Sequence, residues 1–256
     1  MVRVVAIVGG KRSGKTTIIQ HLARELKGRG YSVGSAKELP NISWVDTPEK
    51  ETWEHGEAGA EIVAGAAING TVLFIKRKLS LDELATFFMG LDYLLLEGFR
   101  NEGVMANVVA AKDAAEAREF CDELTIAISG IIAEFGEEVE KASTLGIPIF
   151  NCRMEADRLA DIVEQKTLPL FPNLKRCGEC GYGSCRELAK AIISGKTNLK
   201  ECPLLRGRDV VLEVDGRVVP LKSFPSLFIK RTLTGMVSSL GGVGKPREIK
   251  IVVKVD

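Results

Sequence analysis

The apolar positions along the first 170 residues fall into two alternating kinds of segment. Nearly continuous apolar runs, such as Val4–Val8 and Leu91–Leu96, are typical of strands that are buried on both faces. Between these runs, Thr16–Arg29 repeats its apolar residues at helical spacing and is followed by glycine. The alternation continues to residue 164, which predicts an α/β fold with a mostly parallel sheet flanked by helices.

The stretch between residues 61 and 90 interrupts this alternation. Two apolar segments, Glu61–Ala67 and Thr71–Ile75, are joined by Asn69-Gly70, which is the strongest short hairpin signal. Ser80 precedes the next apolar segment and has Glu83 three residues later, which is the capping-box pattern of a helix start. We therefore expect an antiparallel hairpin followed by a short helix.

Two prolines within residues 169–172 stiffen the chain, and we expect a domain boundary there. The pattern predicts three units: the α/β domain over residues 1–170, a cysteine-rich module over 173–206 and a C-terminal α+β unit over 207–256. In the last unit, Asp215-Gly216 joins two apolar segments as a hairpin turn. A helix is expected over Phe224–Leu240, and Ile249–Val255 alternates as a final strand, which gives a ββαβ unit.

The turn after the first apolar run carries the clearest chemical signal in the chain. Gly9 and the run Gly14-Lys15-Thr16 have the spacing G-x-x-x-x-G-K-S/T of a phosphate-binding loop, in a strand–turn–helix context. Backbone N–H groups of such a loop surround phosphate oxygens, Lys15 reaches the β- and γ-phosphates, and the Thr16 hydroxyl ligates Mg²⁺. The pattern therefore predicts a nucleoside triphosphate site. Its candidate binding residues are Gly9, Gly10, Lys11, Arg12, Ser13, Gly14, Lys15, Thr16 and Thr17.

Two carboxylates are candidates for organising the Mg²⁺ that accompanies a triphosphate. Glu97 follows the apolar run Leu91–Leu96, and a Walker-B acid at such a strand end holds Mg²⁺ or its water. Asp46 lies in a polar irregular loop, where a direct or water-mediated Mg²⁺ contact and an ordinary solvated aspartate are equally open interpretations. The candidate catalytic residues are Glu97, Asp46 and Lys15.

Four of the six cysteines crowd into one region with the spacing C-x₂-C-x₄-C-x₁₆-C: Cys177, Cys180, Cys185 and Cys202. Four thiolates can hold structural zinc or a [4Fe-4S] cluster. Zinc usually prefers two similar C-x₂-C knuckles, whereas a compact group of three followed by a remote Cys-Pro favours the cluster. The segment also closely resembles the four-cysteine iron–sulfur domain of electron-transport and corrinoid iron–sulfur subunits, which carries a [4Fe-4S] cluster in those proteins.

Composition and net charge limit the kinds of partner and the location that we expect for this chain. Apolar residues make up 45% of the chain and charged residues 27%, as in ordinary globular proteins. The formal net charge of +1 gives no electrostatic argument for nucleic acid, and we expect none as a partner. The longest apolar runs fall short of the ~20 residues of a membrane span, and no signal peptide precedes the first strand. We therefore expect a cytoplasmic protein with no membrane partner.

Five segments of the first domain together resemble a known family. They are Gly9–Thr17, Arg29–Gly34, Asp46–Glu51, Glu57–Ala60 and Leu95–Phe99. With them the chain resembles the MobB family, the GTP-binding adaptors of molybdopterin-guanine dinucleotide biosynthesis. The resemblance implies GTP binding, slow GTP hydrolysis, a homodimer, and nucleotide–metal roles for Asp46 and Glu97. It also implies partners: molybdopterin-enzyme maturation proteins and the MobA guanylyltransferase, which attaches GMP to the molybdenum or tungsten pterin.

The chain departs from the family pattern in two places. Members often carry a histidine-rich run after the second-strand lysine, but here Lys37 is followed by Glu38-Leu39-Pro40. The cysteine module is an addition to the short bacterial form, and we expect it to dock a partner or to sense redox state. The chain also has no N-K-x-D element, so the choice of guanine rests on the resemblance alone.

An alternative interpretation is an ATP-driven iron–sulfur electron-transfer or cluster-carrier protein similar to the nitrogenase iron protein. That class carries an extra lysine five residues before the loop lysine, where this chain has Gly10. Its bridging cysteines also arise within the nucleotide domain, whereas this chain has a four-cysteine set of its own. These differences favour the adaptor interpretation.

Overall fold

A computed structural model describes residues 2–40, 50–171, 179–206, 210–215, 217–219, 221, 223–243, 246 and 248–253. Two of the candidate site residues, Asp46 and Cys177, lie outside these ranges. The strands are β1 (Arg3–Val8), β2 (Val33–Lys37), β3 (Ile62–Ala67), β4 (Gly70–Ile75), β5 (Tyr93–Glu97), β6 (Ala106–Ala110), β7 (Thr125–Ser129), β8 (Leu168–Pro169), β9 (Leu212–Val214) and β10 (Arg217–Val219). The helices are α1 (Lys15–Gly28), α2 (Glu51–Glu57), α3 (Leu81–Thr86), α4 (Ala114–Phe120), α5 (Gly136–Ser143), α6 (Ala156–Lys166), α7 (Cys185–Ile193), α8 (Pro203–Arg206) and α9 (Ser223–Ser238).

A six-stranded sheet forms the centre of the first domain. Five of its strands lie in the order β2-β5-β1-β6-β7, and each neighbouring pair is parallel. β8 pairs antiparallel with the start of β1, where Arg3 lies opposite Pro169. Every residue of β5, β6 and β7 is buried, which explains why their sequences are largely apolar rather than alternating. The mostly parallel α/β fold expected from the sequence is confirmed.

Helices cover both faces of this sheet. α1 and α6 bury the stripes that contain Leu22 and Leu159 in one apolar cluster with Val5 and Ile7 of β1. α3, α4 and α5 bury residues in a second cluster, which includes Val4 of the same strand. β1 contributes to both clusters because successive side chains of a strand point to opposite faces. Among the described residues, no helix combines the length and the apolar composition that a membrane crossing requires.

The hairpin expected over residues 61–75 forms a separate two-stranded sheet, in which β3 pairs antiparallel with β4. Ala67 pairs with Gly70, so the turn begins one position earlier than the Asn69-Gly70 signal suggests. The register is consistent with packing, because it places the buried Val63 opposite Phe74.

The capping box predicted at Ser80 is confirmed at the start of α3. The Ser80 hydroxyl accepts a hydrogen bond from the Glu83 backbone N–H (3.3 Å), and the Glu83 carboxylate accepts one from the Ser80 N–H (2.8 Å). Each side chain thereby satisfies a backbone donor that the first helical turn leaves unpaired.

Among its described residues, the C-terminal unit has three of its four expected elements. β9 and β10 pair antiparallel, with Leu212 opposite Val219, and α9 follows them. The final strand expected over 249–255 is not present in the part of it that is described, residues 249–253. There Ile251, Val252 and Val253 are 46%, 80% and 74% exposed. Alternating apolar residues become a strand only where a neighbouring strand pairs their backbone groups, and no described strand does so here.

The cysteine module packs against the same side of the sheet as α1. Leu188 of α7 and Leu205 of α8 are buried in the apolar cluster that contains the α1 and α6 stripes. Arg186 of α7 also forms ion pairs with Asp122 (2.6 Å) and Glu123 (3.2 Å), in the loop that precedes β7. The module is therefore joined to the first domain by apolar packing and, at the amino end of β7, by charge.

Candidate functional site

The phosphate-binding loop leads from the end of β1 into α1 along a path that only glycine follows without strain. Gly9 has φ +148°, and a Cβ atom there would lie 2.0 Å from the Ala110 carbonyl oxygen. Gly14 has φ +100° immediately before the first residue of α1. Since both values lie in the region that side chains disfavour, the glycines of the motif serve the backbone path itself.

The loop is held in place by bonds within itself and to the turn that follows β7. Ser13 is fully buried, and its hydroxyl donates to the Gly10 carbonyl oxygen (3.0 Å). The Ser13 carbonyl in turn accepts from the backbone N–H of Ile131, just after β7 (3.3 Å). These contacts fix the loop geometry in the chain alone, so the site is largely preformed.

Lys15 lies across the loop. Its ammonium donates to the Gly9 carbonyl oxygen at 3.0 Å and also to the Gly10 carbonyl oxygen. Partial burial lowers the pKa of Lys15, against the raising effect of the Glu97 and Glu116 carboxylates. A phosphate oxygen is a stronger acceptor than a carbonyl, so the ammonium is placed to exchange these bonds for a bound phosphate.

Thr16 and Glu97 meet at the end of β5. The Thr16 hydroxyl lies 3.1 Å from both carboxylate oxygens of Glu97, and the buried Glu97 also forms an ion pair with Lys37 Nζ (2.9 Å). A threonine hydroxyl and a carboxylate side by side are hard oxygen ligands of the kind that Mg²⁺ takes. The pair therefore fits a magnesium site, as the sequence predicts for these two residues, while Asp46 lies outside the described residues.

Lys37 and Glu38 are among the cleft residues that the sequence motifs do not identify. The Glu38 carboxylate accepts from the Phe99 N–H (2.9 Å), and the Glu38 N–H donates to the Glu97 carbonyl oxygen (2.9 Å). Phe99 has φ +58°, an uncommon value for a residue with a side chain, and Glu38 steadies this turn. Their place in the sheet accounts for both residues. β2 ends at Lys37 and is the parallel neighbour of β5, and ligands of such sheets bind beyond the carboxyl ends of the strands.

A cleft of about 880 Å³ lies over the loop and extends towards the end of β7. Basic side chains outnumber acidic ones among its lining residues, which suits an anionic ligand. The basic lining residues are Lys11, Arg12, Lys15, Lys37, Arg100 and Arg153, and the acidic ones are Glu38, Glu97 and Glu134. Its volume is within the range of small-molecule sites, about 300–1,000 Å³.

None of the three described cysteines of the module, Cys180, Cys185 and Cys202, lines this cleft. Cys180 and Cys185 are half-buried, Cys202 is buried, and all three pack in or against the apolar cluster. None of the three is in a disulfide. Thiol donors in an apolar setting fit a soft metal centre in their chemistry. Within the described ranges, however, no three potential metal ligands converge, and Cys177 lies outside those ranges.

Fold and loop together define a P-loop NTPase-type α/β protein with a cysteine-rich extension. A family model described as "Molybdopterin guanine dinucleotide synthesis protein B" (MobB) matches residues 4–132, slightly more than half of the chain. The chain belongs to the MobB family. A second family model, described as "Putative Fe-S cluster", matches residues 176–204, which contain all four cysteines of the module.

Similar proteins cover different shares of this chain. The "Putative molybdopterin-guanine dinucleotide biosynthesis adapter protein" of Methanocaldococcus jannaschii is 28% identical over 99% of this chain and 98% of its own length. The "Molybdopterin-guanine dinucleotide biosynthesis adapter protein" of Escherichia coli is 31% identical over 49% of this chain and 74% of its own. The crystal structure of Bacillus subtilis MobB superposes with a TM-score of 0.52 at 25% identity, covering 62% of this chain and 97% of that one.

Proposed function

We propose that this chain is a GTP-binding adaptor that assists the guanylylation of molybdopterin, and that it hydrolyses GTP slowly. The observation that carries the proposal is the Thr16–Glu97 pair beneath a preformed phosphate-binding loop, in a chain of the MobB family. The adapter proteins of similar sequence from archaea and bacteria support the same role.

In this proposal the loop and the side chains next to it have separate roles. The backbone N–H groups of the loop bind the phosphates, and Lys15 neutralises their charge. Thr16 and Glu97 hold Mg²⁺, with Asp46 as a further candidate contact. Bound Mg²⁺ supplies positive charge next to the β- and γ-phosphates. Lys37, which is paired with Glu97 at 2.9 Å, balances the carboxylate charge within the same cleft.

For the cysteine module, we propose a [4Fe-4S] cluster held by Cys177, Cys180, Cys185 and Cys202, with zinc as the less favoured alternative. The match to an iron–sulfur family over residues 176–204 supports this assignment. The module then serves to dock a partner or to sense redox state. Its ion pairs through Arg186 are with residues that precede β7, so a cluster here leaves the nucleotide cleft accessible.

The partners proposed are a MobA-type guanylyltransferase, molybdopterin-enzyme maturation proteins and a second copy of the chain. The exposed apolar residues Ile62, Ile68 and Leu73 on the β3–β4 hairpin support a protein-binding role for that element.

A reconstituted guanylylation assay tests the proposal. The chain, a MobA-type guanylyltransferase, molybdopterin and Mg-GTP are combined, and formation of the guanine dinucleotide is followed with and without the chain. We expect stimulation by the wild-type chain and by Lys27→Ala, a change at the far end of α1, and none by Lys15→Ala. Equal stimulation by Lys15→Ala and wild type would contradict the adaptor mechanism, and so would no stimulation at all.

A further inference from the structure

The nucleotide cleft has a second wall beyond the phosphate-binding loop. Gly130, Ile131 and Glu134 line it, and Asn151 and Arg153 continue it. A phosphate group at the loop places the rest of a nucleotide along the cleft, so this wall is the part available to a base. The role of this wall in base recognition rests on the proposed nucleotide-binding function.

Glu134 is held in a fixed position relative to the loop. It ends a short 3₁₀ turn, Ile131–Glu134, whose first two residues donate backbone hydrogen bonds outside the turn. Ile131 N–H donates to the Ser13 carbonyl (3.3 Å), and Ile132 N–H donates to the Ala111 carbonyl (2.9 Å). Because one of these bonds is to the phosphate-binding loop itself, the turn cannot shift without disturbing the phosphate site.

Glu134 is also the cleft carboxylate that the phosphate site does not use. Of the three carboxylates among the described lining residues, Glu97 is bonded to Thr16 and Lys37, and Glu38 is bonded to the Phe99 N–H. The Glu134 side chain is 45% exposed, and its ion pair with Arg153 Nε is long, at 3.5 Å. A carboxylate has about four lone-pair sites, so most of its acceptor capacity remains available.

Asn151 lies in the part of the wall that continues beyond Glu134. Its side-chain oxygen accepts from the Arg153 N–H (3.0 Å), and its own backbone N–H donates to the Glu155 carboxylate (3.1 Å). These bonds fix the turn and use the amide oxygen, which leaves the amide NH₂ as the donor group of the side chain.

Guanine and adenine present different hydrogen-bonding groups to such a wall. Guanine presents two adjacent donors, N1–H and the 2-amino group, and a carboxylate accepts both, while O6 and N7 accept from an amide NH₂. Adenine presents an unprotonated N1 and no 2-amino group, so the same carboxylate meets a lone pair. We propose that Glu134 is the specificity-determining residue that selects guanine, with Asn151 as the donor to the other edge of the base.

The substitution Glu134→Gln tests this inference, because it replaces one carboxylate oxygen with an NH₂ group. In Glu134→Gln, the side chain keeps one acceptor but replaces the other with a donor, which suits the N1–H and the 2-oxo group of xanthine. Binding of Mg-GTP, Mg-XTP, Mg-ITP and Mg-ATP is measured by isothermal titration calorimetry on the full chain. Glu137→Gln is the matched control, because Glu137 lies on α5, is 82% exposed and does not line the cleft.

We expect the wild-type chain to bind GTP more tightly than ATP or XTP by about 100-fold, since a mismatched base leaves a charged group unsatisfied. ITP, which lacks the 2-amino group, should bind about tenfold more weakly than GTP. Glu134→Gln should bind XTP more tightly than GTP, whereas Glu137→Gln should keep the wild-type order.

Three other outcomes would overturn the inference, and they can be told apart. If Glu134→Gln keeps the wild-type preference for GTP, or if the wild-type chain binds GTP and ATP equally, the base assignment is wrong but the nucleotide site stands. If the wild-type chain binds no triphosphate, both the inference and the proposed function are wrong. Lys15→Ala should weaken binding of all four nucleotides alike, which separates the phosphate contacts from those to the base.

Discussion

In the phosphate-binding loop the polar side chains bond to the loop itself, whereas in the cysteine module the thiols pack among apolar side chains. Ser13 and Lys15 both donate to carbonyl groups of the loop, so its geometry exists before any ligand is present. Cys185 begins α7, Cys202 immediately precedes α8, and within the described residues no three metal ligands converge. The geometry of the first site is present in the chain alone, whereas the proposed ligation would make the second depend on a bound metal.

This difference has a thermodynamic consequence. A preformed loop can lose a ligand-binding side chain and keep its fold. When the unfolded chain has no metal site, the free energy of metal binding contributes directly to the stability of the folded state. Loss of one ligand therefore destabilises the structure around the site. Substitutions in the two regions should therefore change different measured quantities.

The largest effect is expected from Cys202→Ser. Removal of one thiolate should abolish iron and sulfide binding and lower the thermal stability of the module, because the free energy of metal binding is lost with it. Iron and sulfide analysis of anaerobically purified protein, with calorimetry, measures both. GTP affinity should stay within about threefold of wild type, since additive behaviour is expected for distant sites.

Cys121→Ser is the control for this experiment. Cys121 lies outside the module, and burial raises the pKa of its thiol to about 11, so it stays protonated at neutral pH. Iron content should be unchanged in this variant. A loss of GTP binding in Cys202→Ser would show that the two regions are coupled and would contradict the comparison.

Lys15→Ala should have the next largest effect, and it should act on binding rather than on stability. We expect Mg-GTP affinity to fall at least about 100-fold, since hydrogen bonds to charged groups contribute about 1.5–3 kcal/mol each. The melting temperature without nucleotide should change little, because the remaining loop bonds of Ser13 are intact. Calorimetric titration measures the affinity, and Lys27→Ala serves as control. A folded Lys15→Ala protein with wild-type affinity would rule out the phosphate site.

Glu97→Gln should separate hydrolysis from binding. The amide keeps the size of the side chain but removes the charge beside Thr16, so GTP turnover should fall about 100-fold while affinity changes less than about tenfold. Single-turnover hydrolysis and titration on the same sample measure the two quantities, with Glu137→Gln as control. The reverse pattern, with weak binding and intact turnover, would assign Glu97 to binding alone.

The smallest effect is expected at the junction between the cysteine module and the first domain. Arg186→Ala should lower the free energy of unfolding by up to about 1 kcal/mol, since partly exposed ion pairs contribute little. Burial of Asp122 opposes ionisation, but hydrogen bonds from Asn107, Arg186 and the Leu124 N–H lower the pKa of that carboxyl below its usual value. Its contribution is therefore present above a pH of about 4 and is lost as the pH falls through the lowered pKa.

Chemical denaturation at several pH values tests this junction. The difference in stability between wild type and Arg186→Ala should be constant near neutrality and should shrink under acid conditions as Asp122 becomes protonated. Lys200→Ala, an exposed change within the module, should show no such trend. A difference that grows as the pH falls would contradict the assigned role of the pair.

The sequence predicted those features that depend on neighbouring residues. The strand–turn–helix path of the loop, the capping box at Ser80 and the buried strand that ends at Glu97 each follow from a short contiguous pattern, and each is confirmed in the structure. Phosphate binding by the loop remains a proposal. Iron–sulfur ligation by the four cysteines remains a proposal, supported by the family match over residues 176–204.

Features that depend on contacts between residues far apart in the sequence could not be predicted from such local patterns. Glu38 and Glu134 join the cleft because their segments end beside the loop in space, which no local motif records. The strand expected over Ile249–Val255 was wrong in its described part, residues 249–253, because alternation alone does not provide a pairing partner. The cysteine set was recognised by spacing, but the packing of α7 on the α1 side of the sheet depends on tertiary contacts.

Metal analysis and nucleotide binding, measured on one anaerobically purified sample of the full chain, test the proposed function most directly. We predict about four irons per chain, matching sulfide, little zinc, and a clear preference for Mg-GTP over Mg-ATP. Zinc with a GTP preference would retain the adaptor but contradict the cluster. Iron with a strong preference for ATP would contradict the proposed GTP-binding adaptor function and would favour an ATP-driven electron-transfer protein.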